Sequence, residues 1–449
     1  MGRRAVCSVI RNLGRSSRTY QSTPMPASAA TSSRRSPGVR RRSVGNPNVA
    51  GSSRSRRDRR KSPSGFCVGF GNTRMIPGLD TRRARRYELG MRAAVLEAFG
   101  QPLRIADVAE PTLGSGEVIV DVVAAQVLSY AHEILSGARN YQLQLPVVPG
   151  GGAIGRVRAV GPDSTSLAIG DWVMCDPTVR SRDNPLAPDI ALQGITAPTP
   201  GAQKLHAYFH DGAWAERIRV PTENASALGA IDAADAQRWL ALGRLLVPYG
   251  GLLAGALQPG ETLVVNGATG AFGSAGVMVG LALGARAVIA TGRNEAVLGE
   301  LARRLGPRVI PVTMRGDEAR DRERIAAATS GPIDCVLDLL PPAATPAQVR
   351  AAALAVRPNG RVVLMGGVGM QGGELLALPY PWLMRNSITL RGQWMYPPSA
   401  IPRMVGLVRA GLIDLAQLTV TAFPLDRAND AVAHAAAHAD PFELTALCP

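Results

Sequence analysis

The sequence predicts an α/β protein in which a doubly wound parallel sheet is inserted in a mostly antiparallel, barrel-like domain. Three observations predict it. Between Thr262 and Arg293 a short apolar run, a glycine turn, a small-residue helix pattern and a second apolar run follow one another. Beyond that unit, strand and helix patterns alternate as far as residue 389, which implies a parallel sheet covered on both faces. Ahead of it, from Met91, short strand-like runs are split by glycine and proline turns, the texture of an antiparallel domain.

In the central unit, Leu263, Val264 and Val265 form a buried-strand run that stops at Asn266. The turn then reads Gly267, Ala268, Thr269, Gly270, Ala271, Phe272, Gly273 before the helix begins. Glycines let backbone come close to a ligand, and a helix start presents unpaired N–H groups and a positive dipole end to an anion. Glycine triplets arise by chance in a chain this rich in Gly and Ala. A strand before, a helix after and a second strand (Ala285–Thr291) ending about 20 residues on make this one a dinucleotide turn rather than a purely structural one. At the end of the second strand stand Gly292 and Arg293, with no acid before Glu295. An acid there would suit the ribose 2'-hydroxyl of NAD. An arginine suits a 2'-phosphate, so NADP(H) is the expected cofactor, the plainer alternative being that Arg293 is a solvated loop charge.

Charge separates the chain into two parts. Residues 1–90 hold 21 basic and 3 acidic residues, a net of +18, and the remainder is close to neutral at −2. Nothing in the folded part's charge calls for nucleic acid. Rich in Ser, Arg, Pro and Gly, the first 90 residues lack apolar periodicity and are expected to be a disordered basic extension. Three origins remain open for it: a targeting segment, a nucleic-acid or membrane tail, or a stretch that is not translated, synthesis starting at Met91. The third is preferred. Met91 opens directly onto a strand-like run, and the near-exclusive use of Arg over Lys (only Lys61 and Lys204) suggests a G+C-rich genome, where spurious upstream frames are common. Five dispersed cysteines without a C-x-x-C pair indicate neither disulfides nor a zinc knot and fit a reducing, cytoplasmic setting. The longest apolar candidate, Leu245–Leu257, is too short for a membrane span and is cut by Pro248.

Strands are expected at Val95–Phe99, Leu103–Val108, Glu117–Ala125, Ile154–Val160 and Trp172–Cys175. The Pro-rich stretch Thr178–Lys204 reads as a long loop. Ala236–Leu257 reads as a helix leading into the dinucleotide unit. Then come Val309–Thr313, a charged helix Glu318–Ala328, Ile333–Leu340, a helix Thr345–Val356, Arg361–Met365 and a last strand Ser387–Trp394. A helix Ile401–Ala410 opens the return to the first domain.

Taken together, MRAAVLEAFG, AEPTLGSGEVIVDVVAAQV, PVVPGGGAIGRVRAVG, GDWV, VVNGATGAFGSAG and GRVVLMGG, in this order and spacing over Met91–Pro449, resemble the medium-chain dehydrogenase/reductase superfamily. The resemblance implies a GroES-like domain at 91–235 plus 390–449 around a Rossmann domain at 236–389. It also implies a small-molecule substrate and a homodimer joined through Ser387–Trp394. Zinc-type members carry a cysteine where this chain has Leu128, a histidine where Gly150-Gly151-Gly152 stands, and a third ligand near Gly243; the four-cysteine lobe is missing too. With none of the three or four donors that zinc needs, the chain is similar to the zinc-independent branch, the quinone oxidoreductases and enoyl reductases. Tyr130 stands where zinc enzymes keep a proton-relaying hydroxyl and is the candidate proton donor; the alternative is that it only lines the cleft. By the same resemblance, Tyr249, Trp394 and Met395 contribute to the substrate pocket, and Gly366 and Gly367 let the nicotinamide pass close to backbone; the alternative for each is core packing. The expected activity is NADPH-dependent hydride transfer to an α,β-unsaturated carbonyl or a quinone without zinc. An alcohol or carbonyl dehydrogenase is the nearest alternative, and a non-catalytic NADPH-binding protein with a nucleic-acid-binding tail an alternative of another class.

Overall fold

The computed structural model describes residues 90–449. The expectations for the basic stretch before them lie outside the described residues. The barrel-like half contributes β1 (Met91–Val95), β2 (Arg104–Val108), β3 (Glu117–Val127), α1 (Ala131–Leu135), β4 (Ala153–Val160), β5 (Trp172–Cys175), β6 (Thr178–Arg180), β7 (Ile190–Leu192), α2 (Pro200–Tyr208), β8 (Arg217–Pro221) and β9 (Ala225–Ala227). Helix α3 (Ala241–Ala254) leads into β10 (Thr262–Asn266), α4 (Ala271–Ala282), β11 (Ala287–Gly292), α5 (Glu295–Leu305), β12 (Val309–Thr313), α6 (Glu318–Ala327), β13 (Cys335–Asp338), α7 (Pro346–Ala353), β14 (Arg361–Leu364), α8 (Tyr380–Arg385) and β15 (Thr389–Gly392). The chain then returns through α9 (Ala400–Arg409), β16 (Thr419–Pro424), α10 (Ala428–Ala437) and β17 (Glu443–Cys448).

The second half is the doubly wound sheet. Its six parallel strands lie in the order β12, β11, β10, β13, β14, β15. Every residue of β10 and β13 is buried, because helices cover both faces and leave these strands no polar side. Alternation decides the layers: Leu263, Val265, Val288, Ala290 and Leu337 pack with α3, α4 and α5, whereas Val264, Ile289 and Val336 pack with α6 and α7. The order reverses between β10 and β13, so a crevice opens above the carboxyl ends of these two strands, where a ligand binds in such sheets.

The first half is a seven-stranded sheet in the order β16, β17, β3, β4, β5, β9, with β8 also paired to β3; the β16–β17 pair is parallel and the rest antiparallel. Helix α3 joins the halves. Its Gly250 and Gly251 come so close to the chain beyond β14 that a methyl group would stand 2.4 Å from the Met395 carbonyl oxygen and 2.3 Å from Met365 Sδ. That close approach sets the height of Met365 and Met395 at the crevice.

Three expectations need correction. The first strand is Met91–Val95 rather than Val95–Phe99, because the chain turns through the exposed Glu97–Gly100, with Gly100 at φ 79°, to pair β1 with β2. The stretch Thr178–Lys204 is not a plain loop: it holds the β6–β7 hairpin and the start of α2, whose N-cap Thr199 accepts a hydrogen bond from Ala202 N at 3.1 Å. The parallel sheet runs on through Gly392, past residue 389, since Arg361–Leu364 and Thr389–Gly392 pair residue for residue.

Candidate functional site

The turn after β10 is built for an anion. Gly267 takes a φ of 89°, which favours glycine, and a methyl group on Gly273 would lie 2.0 Å from the Gly267 carbonyl oxygen, so the third glycine lets the helix start pack on the turn. Gly270 caps α4 with no side chain to take up the first N–H groups, leaving Ala271, Phe272 and Gly273 to present theirs outward. A methyl group on Gly292 would stand 2.4 Å from Thr269 Cγ2, so strand β11 must end in glycine for Thr269 to keep its place.

These residues open on a cleft of about 1100 Å³ between the two halves. Of the residues expected at the site, Tyr130, Gly267, Thr269, Gly270, Ala271, Phe272, Gly273, Gly292, Arg293, Gly366, Gly367, Trp394 and Met395 line it. Two do not. Ala268 is fully buried, and its N–H is spent on the Thr291 carbonyl oxygen at 2.8 Å, because the turn must hydrogen-bond to the neighbouring strand. Tyr249 is buried in the core beside α9, with its hydroxyl toward Arg403, and Tyr396 lines the cleft instead. Tyr396 is anchored through a buried hydrogen bond from its hydroxyl to Asp176 Oδ1 (2.8 Å), which ties the chain after β15 to the end of β5.

Arg293 is exposed at the end of β11 and forms no ion pair among the described residues. Glu295, the first acid after it, is turned away in a salt bridge to Arg315. The β11 tip therefore offers a free cation and, among the described residues, holds its first acid, Glu295, in an ion pair.

Beneath the floor of the cleft lies a row of polar groups that sequence reasoning missed. Thr291 Oγ1 donates to Asn266 Oδ1 (2.8 Å), and Asn266 Nδ2 donates to Asp338 Oδ1 (2.7 Å), across the register-matched ends of β11, β10 and β13. Burial pushes the Asp338 carboxyl up to about 7, against the hydrogen bond from Asn266. Its signal was a polar residue ending each apolar run. A second missed group stands on the barrel side. The Arg139 guanidinium lies 3.9 Å over the Tyr130 ring and 5.3 Å from that of Tyr141, with Nη1 2.7 Å from Glu133 Oε2. Burial, with Tyr141 next, raises the pKa of Tyr130, so its phenol is neutral and able to donate.

Two family models match the chain. The alcohol dehydrogenase GroES-like domain matches residues 114–230 and the zinc-binding dehydrogenase model matches residues 271–410. The chain belongs to the medium-chain dehydrogenase/reductase superfamily. Among curated relatives of this superfamily member, the alcohol dehydrogenase of Moraxella sp. strain TAE123 is 26% identical over 76% of this chain and 94% of its own length. The acryloyl-coenzyme A reductase of Metallosphaera sedula is 29% identical over 48% of this chain and 63% of its own length. The structure of an alcohol dehydrogenase from Thermus sp. ATN1 shares the fold with a TM-score of 0.66 at 24% identity, covering 80% of this chain and 100% of the other. A pyridine nucleotide is the cofactor this superfamily fold takes, and the open helix start and glycine turn fit its pyrophosphate.

Zinc fits less well. Leu128, Gly151 and Gly243, the positions where zinc-type members of the superfamily have ligands, all line the cleft, and none carries a donor side chain. Neighbours already fill the space there: a methyl group on Gly151 would meet Ile195 Cδ1 at 2.8 Å, and one on Gly243 would meet Gln126 Oε1 at 2.6 Å. Leu128 packs with Ile134, Leu192 and Ile195. Among the described residues no group of three or more His, Cys, Asp and Glu side chains is close enough to hold a metal ion.

Proposed function

We propose that the protein is an NADPH-dependent, zinc-independent oxidoreductase that reduces α,β-unsaturated carbonyl compounds or quinones. The observation that carries this reading is that Leu128, Gly151 and Gly243 carry no ligand side chain and that Ile195 and Gln126 fill the space beside the two glycines. When bound, the dihydronicotinamide supplies the hydride. The chain's residues hold and shape the rest. The helix start at Ala271–Gly273 carries the pyrophosphate, and Arg293 pairs with the 2'-phosphate. Gly366 and Gly367 would lie beside the nicotinamide, and Trp394 and Met395 line the same cleft. As hydride joins the β-carbon of an enone, the π pair moves onto the carbonyl oxygen to give an enolate. Tyr130 or water then returns a proton to the α-carbon. The acryloyl-coenzyme A reductase among the relatives supports enoyl reduction.

A second reading, alcohol or carbonyl dehydrogenase, is favoured by the names of most relatives and differs in needing an electrophile for an isolated carbonyl. The test is NADPH and NADH oxidation with a quinone, an enone and an aldehyde, each with and without chelator. The proposed reading expects turnover of the first two that survives chelation. Turnover of the aldehyde alone, lost on chelation, establishes the second. We also propose that the protein dimerises through β15, which ends the parallel sheet with all four residues exposed and one edge of its backbone unpaired.

A further inference from the structure

Removal of zinc from this site leaves an unanswered demand: the oxygen that takes up negative charge as hydride arrives needs a donor, and a single neutral phenol is a weak substitute for a dication. The barrel wall of the cleft sets apolar Leu128, Leu192 and Ile195 beside the uncharged polar groups of Gln126 and Ser129. Within that wall Arg139 is the cation. Its side chain is only 14% exposed, clamped over the Tyr130 ring at 3.9 Å and held by Glu133 through Nη1 at 2.7 Å. Glu133 takes up Nη1 and the Tyr141 hydroxyl also sits against the guanidinium, whereas Nε is buried with no hydrogen-bond partner. A buried N–H of a charged group without an acceptor is rare, because it forfeits its hydration with no return. Such an N–H in a substrate cleft is suited to an oxygen brought in by the ligand. Guanidinium, stacked ring and carboxylate form a rigid frame, so the donor is set in place before the charge appears.

We infer that Arg139 is a catalytic residue whose Nε–H donates to the substrate's carbonyl oxygen and stabilises the enolate as it forms. The ligand class is a neutral enone or quinone whose oxygen becomes anionic during reduction. This deepens the reading of the previous section and rests on it. Tyr130 and Arg139 then divide the work: the arginine holds the oxyanion, and the phenol beneath it is positioned for proton return.

The test uses the full chain and two independent readouts. The first is binding of p-nitrophenolate, a stable enolate mimic, to the NADP⁺-saturated protein, followed by its absorbance. Arg139→Ala is expected to weaken it at least tenfold, with NADP⁺ affinity unchanged. The second is NADPH-dependent reduction of cyclohexenone and menadione. Arg139→Ala is expected to lower kcat/KM about 100-fold, and millimolar guanidinium to restore at least tenfold of that loss, a rescue that a merely structural role does not give. Arg139→Lys keeps the charge without the Nε edge and is expected to stay at least fivefold impaired in binding; it decides the matter should the alanine variant not fold. Nitrophenolate affinity within twofold of wild type in the variant that folds overturns the role of Arg139. Wild-type protein that binds nitrophenolate through Arg139 but reduces neither substrate contradicts the enone and quinone reading alone.

Discussion

At the residue scale, single groups carry single tasks. Arg293 is the clearest: exposed, unpaired among the described residues, and at the strand tip where the proposed reading puts the adenosine ribose. Arg293→Ser is expected to raise KM for NADPH about 10- to 100-fold and leave that for NADH within threefold, the loss of roughly 1–3 kcal/mol of charge-assisted contact. Equal effects on both cofactors would show that Arg293 is a solvated loop charge. Tyr130→Phe is expected to lower kcat about 100-fold with little change in cofactor affinity, as removal of a general acid does; full turnover would leave water as the donor. Asp338 lends itself to a stability test. Its pKa is raised to about 7 from the ordinary 3.8 by burial, so the folded state holds a proton that the unfolded chain releases. The cost of burying Asp338 is therefore absent below about pH 4, grows as pH rises toward 7, and levels off above it. Asp338→Asn, which keeps a side-chain oxygen for Asn266, is expected to remove this slope and to gain on wild type by up to about 4 kcal/mol at pH 8. Denaturant melts of both proteins at pH 5 and pH 8 check it; parallel pH dependence contradicts the burial argument.

At the element scale, the parallel strands were the most legible part of the chain. A strand covered on both faces must be apolar at every position, and VVN, AVIAT and CVLD announce themselves in this way. Val309–Thr313 and Trp172–Cys175 begin and end where the sequence reading put them. The α2 region was less legible, because Pro-rich text dominates it, although Thr199 followed by Pro200 is a helix-start signal that could have been heeded. Of the site, the glycine turn was readable because Gly267 and Gly273 each answer a local steric demand. Arg139, Tyr396 and the Thr291–Asn266–Asp338 row were not, since their roles come from contacts between distant segments: Asn266 and Asp338 are 72 residues apart. Tyr249 was misplaced for the same reason, as helix phase alone did not say which side of α3 faces the cleft. The edge strand carries its own prediction. Leu390 is 42% exposed on β15, and Leu390→Asp is expected to convert a dimer into a monomer in sedimentation at micromolar concentration. A wild-type monomer, or a dimer that survives the substitution, removes β15 from the interface.

At the scale of the whole molecule, two halves meet at one cleft, and the chemistry depends on what each brings to it. The parallel sheet brings a cofactor site whose geometry follows from glycine sterics and an open helix start. The barrel-like half brings Leu128, packed against Ile134, Leu192 and Ile195, with Tyr130 and Arg139 beside it. No helix among the described residues is long and apolar enough to cross a membrane. The central claim, hydride transfer without zinc, is tested most directly by NADPH-dependent cyclohexenone and menadione reduction before and after exhaustive dialysis against a strong zinc chelator, with metal content measured on the same samples. The account predicts undiminished turnover at less than about a tenth of a zinc per chain. Activity lost with the metal and restored by added zinc would contradict it.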